Sequence, residues 1–421
     1  MEKTLVLESG QCALGQCIFC GYSKQAKPVD EQYLRIRLDE ALADAEGAER
    51  LKMFTSGSFL DDCQFPPAFR AYFVEKVKAK KIKEVTIESI PQFITAERLA
   101  EFKGVNLTVA IGLEVADNRV LAVLKKGFTV EQYVEAAKTL HANGCKLRTY
   151  LLVNPPGATD VKRSIEESVA FAKKYSDSIV AINLLPHSRA PLFDMWLEGA
   201  WKPLPKARFH ELVDALGVET DDETFRFTPK FPPEKKQFIK GVGVEFIDHP
   251  HYNVWQDFIT SFYDGPRDKD IALFVPCAAK KPYSESKTHQ LIFSAMRRSK
   301  NFRRIHRIVI SSPGVIPFEF SDYYPFNSYD WDEKLETPEI MKEYVRINKQ
   351  RAVNYLKAHK YKHVACFFKP TSESYEALRE ACAELGIKLV AVLPEAVEGG
   401  GNPLFRDESL DKLVSALDAL E

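Results

Sequence analysis

The chain has little that would mark it for secretion, a membrane or a disulfide scaffold. Cysteine is scarce, eight in 421 residues, and three of the eight crowd into one loop. Disulfides are therefore not expected and a reducing compartment is. No run is long and uncharged enough to span a bilayer, and Met1 to Glu8 lacks a basic segment followed by an apolar core, so a cytoplasmic protein without membrane contact is expected. A surplus of charge of either sign is missing too. With a formal net charge of -1 there is no global attraction to nucleic acid, and a polynucleotide would have to be held by local patches. The densest are Lys76 to Lys83 and Arg297 to Arg307, although solvated helix ends are the plainer reading of such runs. Gly399-Gly400-Gly401 lacks the spacing of a phosphate-binding loop and reads as a turn.

What is present is an ordinary globular composition, 45% hydrophobic and 28% charged, with enough length for two domains. From Thr4 to about Leu216, short β-branched or apolar runs alternate with amphipathic stretches, the rhythm of a parallel sheet. Strands are expected at Thr4–Glu8, Leu51–Ser56, Glu84–Ser89, Asn106–Val115, Lys146–Val153 and Ile179–Pro186. Helical patterns between them open at Thr95, Thr129 and Asp160, residues suited to N-capping. Six such units imply a partial (β/α)6 barrel over residues 1–220. Residues 221–267 mix prolines and aromatics without sustained periodicity and read as a packed connector, in which Asp248-His249-Pro250-His251 suits a hydrogen-bonded loop better than a metal site. The alternation resumes over 268–421, implying a smaller parallel-sheet α/β domain.

In such folds chemistry gathers at the carboxyl ends of the strands, and the unusual residues sit there. Behind the first strand come Cys12, Cys17 and Cys20, spaced C-x4-C-x2-C. Three thiolates in one loop can each hold one iron of a 4Fe-4S cubane and leave the fourth iron open. A zinc knuckle with its fourth ligand elsewhere, or buried structural cysteines, also suit the loop. Later strand ends carry Ser56-Gly57-Ser58, Glu88-Ser89-Ile90-Pro91, Gly112-Leu113-Glu114, Asn154-Pro155-Pro156 and Asn183. Singly, each has a structural explanation: a tight turn for the Ser-Gly-Ser run, an ion pair with a nearby Lys for Glu114.

Together these residues resemble the radical S-adenosylmethionine (SAM) superfamily, in particular the branch near the elongator-type tRNA-modifying enzymes. The resemblance implies a 4Fe-4S cluster on Cys12, Cys17 and Cys20, and SAM held at Ser56, Gly57, Ser58, Glu88 and Glu114. Asn154 and Asn183 would then lie near adenine or substrate. Acidic strand ends suit a cationic sulfonium ligand. The chemistry implied is reductive cleavage of SAM, using an external electron donor, to a radical that abstracts hydrogen from an unactivated carbon.

The second domain carries Pro276-Cys277-Ala-Ala-Lys-Lys281-Pro282-Tyr283-Ser-Glu-Ser286-Lys-Thr-His289 after its first strand. Thiol, ammonium, phenol, hydroxyl and imidazole fall in one strand-loop-helix transition, where open α/β sheets bind ligands; a polar loop capped at Ser286 is the plainer reading. The pattern P-C-x3-K-P-Y-x2-S-x2-H resembles the core domain of archaeosine synthases. The resemblance implies a lyase of archaeosine (7-deazaguanine) tRNA modification, cleaving a lysine adduct of 7-cyano-7-deazaguanine to the amidine. It also implies Cys277, Lys281, Tyr283 and His289 as catalytic or lysine-binding groups, and a synthase subunit or second copy as partner. Substrates in DNA or as free base, or a scaffold role, are the alternatives.

Overall fold

Short apolar strands joined by amphipathic helices can bury their backbone only side by side and parallel, because each crossover helix returns the chain to the same edge. That is the arrangement found in the computed structural model. It describes residues 1–7, 9–22, 29–43, 47–221, 227–393 and 402–421; Gly399-Gly400-Gly401 and the end of the first expected strand at Glu8 lie outside them. The chain divides into two units, Met1–Phe227 and Thr228–Glu421.

The first unit is a curled, all-parallel sheet whose strands follow sequence order. They are β1 (Glu2–Val6), β2 (Arg50–Phe54), β3 (Glu84–Glu88), β4 (Asn106–Glu114), β5 (Lys146–Val153), β6 (Ser178–Asn183) and β7 (Glu219–Thr220). The half-barrel expected from six strands is thus present, with a two-residue seventh strand added beside β6. Thr95, Thr129 and Asp160 cap their helices as expected, and Thr129 forms a reciprocal capping box with Gln132. Alternate residues such as Met53, Ile87, Val109, Ile111 and Leu151 are buried between sheet and helices. At the β2 end of this core, Phe59 packs among Phe65, Phe69, Phe73 and Phe102.

In the second unit the strands are β8 (Ile239–Lys240), β9 (Ile271–Pro276), β10 (Ile305–Ser311), β11 (Gly314–Pro317), β12 (Tyr329–Asp330), β13 (His363–Cys366) and β14 (Leu389–Ala391). A five-stranded sheet runs β11-β10-β9-β13-β14, parallel except at the β10–β11 hairpin, and β8 pairs with β12 apart from it. The alternation misses β11 because a two-residue turn at Ser312-Pro313 joins it straight to β10.

Of residues 221–267, read as a connector, 228–267 lie inside this unit and include the helix Pro250–Ser261. That helix buries Tyr252, Val254, Trp255, Phe258 and Ile259, and the Trp255 indole N–H donates to the Tyr324 carbonyl at 2.9 Å. His249 caps it, and His251 Nδ1 meets the Tyr324 hydroxyl at 2.7 Å, so both histidines of the Asp248–His251 loop have structural partners. Gln256 of the same helix reaches the edge strand β11: its amide donates to the Val315 carbonyl at 3.0 Å and accepts from the Val315 N–H at 3.2 Å. Among the described residues no helix is long and apolar enough to cross a membrane.

Phe59 is fully buried and directly follows the Ser56–Ser58 turn, so truncating it removes core packing beneath that turn. Phe59→Ala is expected to lower stability by about 3–5 kcal/mol in urea unfolding; a loss under about 1 kcal/mol would mean that the aromatic cluster collapses without cost.

Candidate cofactor and substrate sites

The three-cysteine loop is held from two sides. The Ile18 N–H donates to the Leu124 carbonyl at 3.1 Å, and the Leu192 N–H donates to the Ile18 carbonyl at 2.9 Å. Ile18 packs among Val115, Val120, Leu121 and Leu124, and the Cys20 N–H closes a turn onto the Cys17 carbonyl at 3.2 Å. Two glycines allow this fit. A Cβ on Gly21 would overlap the His187 ring at 1.8 Å, and one on Gly127, which has φ +72, would come within 2.8 Å of Leu14. All three thiols are half-buried and free. Burial pushes Cys17 up to about 11; Lys126 opposes the rise, while Glu114, Cys20 and Cys12 add to it. Both other thiols thus lie within electrostatic reach of Cys17. Among the described residues no three His, Cys, Asp or Glu side chains converge as a single-ion site requires. A cubane gives each thiolate its own iron and so does not require the three to converge on one ion.

Glu114 ends β4 with φ 69, where the register against β5 shifts between Gly112 and Glu114. Its carboxylate accepts from Lys126 Nζ at 2.6 Å, and both side chains are only 8% exposed, so the ion pair is a buried one. Gly112 leaves room for it: a Cβ there would sit 2.3 Å from Glu114 Oε1 and 3.1 Å from Lys126 Nζ. Burial works against the Lys126 charge, but Glu114 together with the thiols of Cys17 and Cys12 outweighs it and holds the pKa above the usual lysine value. Phe19 and Phe128 lie against the ammonium at 5.7 and 5.3 Å. The ion pair with a nearby Lys that the sequence allowed for Glu114 is present, and its partner is Lys126, which follows a helix of its own and has no motif to mark it.

Glu88 accepts from the Thr55 N–H at 2.8 Å. Burial raises its carboxyl to about 7; Thr55 and Lys126 pull against the rise and Glu114 adds to it. The Ser56–Ser58 turn is built by Gln64, another residue the motifs did not flag. Its Oε1 accepts from the Ser58 N–H at 2.8 Å, its amide donates to the Ser9 carbonyl at 2.8 Å, and a Cβ on Gly57 would lie 2.2 Å from that Oε1. Ser58 and Ser89 share a hydroxyl hydrogen bond at 2.8 Å, which gives Ser58 a structural role. Asn154, at φ 67, donates to the Lys202 carbonyl at 2.8 Å and accepts from the Trp201 indole at 2.9 Å through its own carbonyl. Asn183 donates to the Leu204 carbonyl at 2.9 Å. Three buried oxygens have no partner: Thr55 Oγ1 and Ser56 Oγ at the end of β2, and Asn183 Oδ1 at the end of β6. Orphaned acceptors of this kind are costly.

In the second unit, Tyr283 and His289 stack, with centroids 4.8 Å apart and planes at 29°. The Tyr283 hydroxyl bonds the Tyr329 hydroxyl, which meets Ser311 Oγ at 2.5 Å. Lys281 Nζ sits 3.8 Å over the Tyr329 ring, and its pKa is lowered by burial, against the pull of Cys277 and Asp330. Ser286 caps the helix Lys287–Arg298, and Lys280 pairs outward with Glu285 at 3.1 Å. The four residues named from the sequence are therefore brought together, with Ser311 and Tyr329 as links that the motif does not contain. A nucleophilic role for Cys277 would ask for a lowered thiol pKa, and the thiol is not acidified. Burial raises the Cys277 pKa and outweighs both the hydrogen bond from Ser311 and the charge of Lys281. His289 is pushed down to about 3 by burial, with Arg307 adding to the effect.

Residues 9–172 match the Radical SAM superfamily. They form a radical SAM domain. Residues 253–417 match a domain of unknown function, DUF5591. Archaeosine synthase subunit beta of Thermococcus kodakarensis is 32% identical over 209 residues, 45% of this chain and 63% of that protein. Archaeosine synthase subunit alpha of Thermoplasma acidophilum is 35% identical over 130 residues, 29% of this chain and 25% of that protein. The chain thus spans less than two thirds of the length of either curated relative. Among solved structures, a queuine lyase from Clostridium spiroforme bound to SAM and queuine aligns over 52% of this chain and 90% of its own, at 22% identity and a TM-score of 0.40. The cofactors of a radical SAM domain are a 4Fe-4S cluster and SAM. The radical SAM domain fits both: three free, half-buried thiols in one loop, and unpaired oxygens and acidic groups at the strand ends where a cationic ligand would sit.

The raised pKa of Glu88 has a signed consequence. Between pH 4.5, its ordinary value, and about 7, the native carboxyl holds a proton that the unfolded chain releases, so its contribution to stability falls as pH rises through that window. Glu88→Gln is therefore expected to stabilise the cofactor-free protein at pH 8 by on the order of 2 kcal/mol, with the gain nearly gone at pH 5. Urea unfolding at the two pH values checks this.

Proposed function

We propose that the chain is a radical SAM carbon-nitrogen lyase of archaeosine synthesis, cleaving the lysine side chain from a lysine adduct of 7-cyano-7-deazaguanine in tRNA to leave the amidine. The observation that carries this reading is the pairing in one chain of a radical SAM domain with a DUF5591 domain, where the relatives are beta and alpha subunits of archaeosine synthase. The cluster and SAM supply one-electron chemistry that activates an unreactive C–H bond.

The chain's own residues have distinct tasks in this reading. Cys12, Cys17 and Cys20 hold the cluster. Ser56 and Gly57 present backbone and hydroxyl groups to the SAM amino group, and Ser58 fixes their turn. Glu88 offers an anion to a cationic ligand that would return its carboxyl toward the ordinary range. Glu114 and Lys126 form a buried pair beside the thiols, and Asn154 and Asn183 border adenine or substrate. In the second unit Lys281 receives the carboxylate of the lysine moiety, with Tyr283 and His289 as its neutral neighbours. A Cys277 thiol kept protonated by burial suits lysine binding, or docking of a synthase subunit, better than nucleophilic attack on a nitrile.

The reduced protein, incubated with SAM and lysine-modified tRNA, is expected to yield the amidine nucleoside by mass analysis. A Cys12, Cys17, Cys20 triple alanine variant is expected to lose both this product and the bound iron and sulfide. Unchanged product with no iron would sink the assignment. Lys281→Ala is expected to weaken lysine binding by about ten- to a hundredfold in calorimetry, whereas Cys277→Ser should still cleave a preformed adduct. Adduct turnover lost in Cys277→Ser alone would instead make that thiol part of the reaction.

A further inference from the structure

Of the two basic runs in the sequence, the first has three of its five lysines engaged within the fold. Lys76 pairs with Asp39, Lys83 with Glu49, and Lys78 donates to the Lys103 carbonyl. In the second run Arg298 pairs with Asp411 and Arg304 with Asp270. Arg297, Lys300, Arg303 and Arg307 of this run have no carboxylate within 4.0 Å among the described residues, and Arg303 and Arg307 lie together with the equally unpaired Lys269. These last three border one cavity of about 490 Å³, between the helix Lys287–Arg298 and the chain entering β9 and β10. This volume suits a small organic ligand.

Arg307 is a built feature of that cavity. Its guanidinium lies 3.1 Å from the centroid of the Phe318 ring and 5.3 Å from that of Phe293. Stacking fixes the plane of the fork, leaving its edge for bidentate recognition of an oxyanion. It makes a single hydrogen bond, 3.4 Å to the His289 carbonyl, so most of its N–H groups have no protein acceptor among the described residues. Burial pushes its pKa down to about 9 against the attraction of Glu319, the sign of a cation short of counter-charge. Glu319 borders the same cavity and offsets the burial only in part, without an ion pair to Arg307, its oxygens being engaged by His306 at 3.2 Å and by the Tyr263 hydroxyl. At the mouth stands Phe293, 41% exposed, with Phe302 edge-on to it at 5.8 Å. Exposed rings beside an unpaired Arg are the means by which proteins take a base and its phosphate together from single-stranded nucleic acid.

We infer that this cavity binds one nucleotide unit of a single-stranded RNA segment, the phosphate on the edge of Arg307 and the base against Phe293. Arg303 and Lys269 contact the backbone on either side. The inference deepens the proposed function and rests on its tRNA substrate, but it concerns binding and not turnover. It also gives a slightly acidic chain a local means of holding RNA.

The test uses the full-length protein without SAM or reductant, and a fluorescein-labelled oligoadenylate strand followed by anisotropy. Phe293→Ala and Arg307→Gln are each expected to weaken binding about five- to a hundredfold, and Arg303→Gln to reduce the salt slope by about one. Guanosine monophosphate should displace the probe at concentrations where inorganic phosphate and lysine do not. Equal displacement by phosphate would mean that the rings add nothing, and displacement by lysine would mark an amino-acid pocket; either result overturns the inference. So does wild-type affinity in Phe293→Ala, a substitution at a surface ring that leaves the core intact. Absence of amidine formation together with intact probe binding would defeat the proposed reaction and leave this site standing.

Discussion

A buried ion pair between Glu114 and Lys126 is the constraint on which the mouth of the half-barrel depends. Two charges withdrawn from water are tolerated only when geometry is good and each has its partner, and the chain meets that demand with unusual backbone. Gly112 vacates the space, the register slips, and Glu114 adopts a positive φ that a residue with a side chain rarely takes. The segment that delivers Lys126 also receives the cysteine loop through Ile18 and Leu124. Loss of either charge would leave the other unpaired beside three thiols, so cysteine loop, β4 end and β3 end share one electrostatic arrangement.

The sequence showed where chemistry would gather but not how the groups are held. Parallel strands place their carboxyl ends together, so Cys12 to Cys20, Ser56 to Ser58, Glu88, Glu114 and Asn183 could be assigned to one end of the sheet from order alone. Gln64 escaped, and the lysine expected beside Glu114 could not be numbered, because no spacing rule connects either side chain to its partners. In the second domain the spaced motif located Tyr283 and His289, which do stack. Ser311 and Tyr329, which complete the hydrogen-bond chain, come from the ends of other strands. Thr95, Thr129 and Asp160 were legible for the opposite reason: a cap acts within four residues.

The two sites differ in electrostatic kind. At the strand ends of the radical SAM domain, oxygens remain unpaired and an acid is held near neutrality, an environment unfinished without a cationic ligand. Around Cys277 the phenols bond one another and a hydroxyl, and burial keeps both Tyr283 and Tyr329 protonated. Neutral donors and a desolvated ammonium favour recognition of an anion by hydrogen bonds and not by net charge.

Gln256 carries a consequence of another sort. By donating to and accepting from Val315, its side-chain amide reproduces on β11 the pair of bonds a neighbouring strand would make, and Gly314 lets it approach, since a Cβ there would lie 2.7 Å from the amide carbon. One glutamine thus ends the sheet. An unpaired edge is a template for strand addition and aggregation, and here the template is already occupied at its centre, so growth of this sheet by augmentation would have to begin from β14.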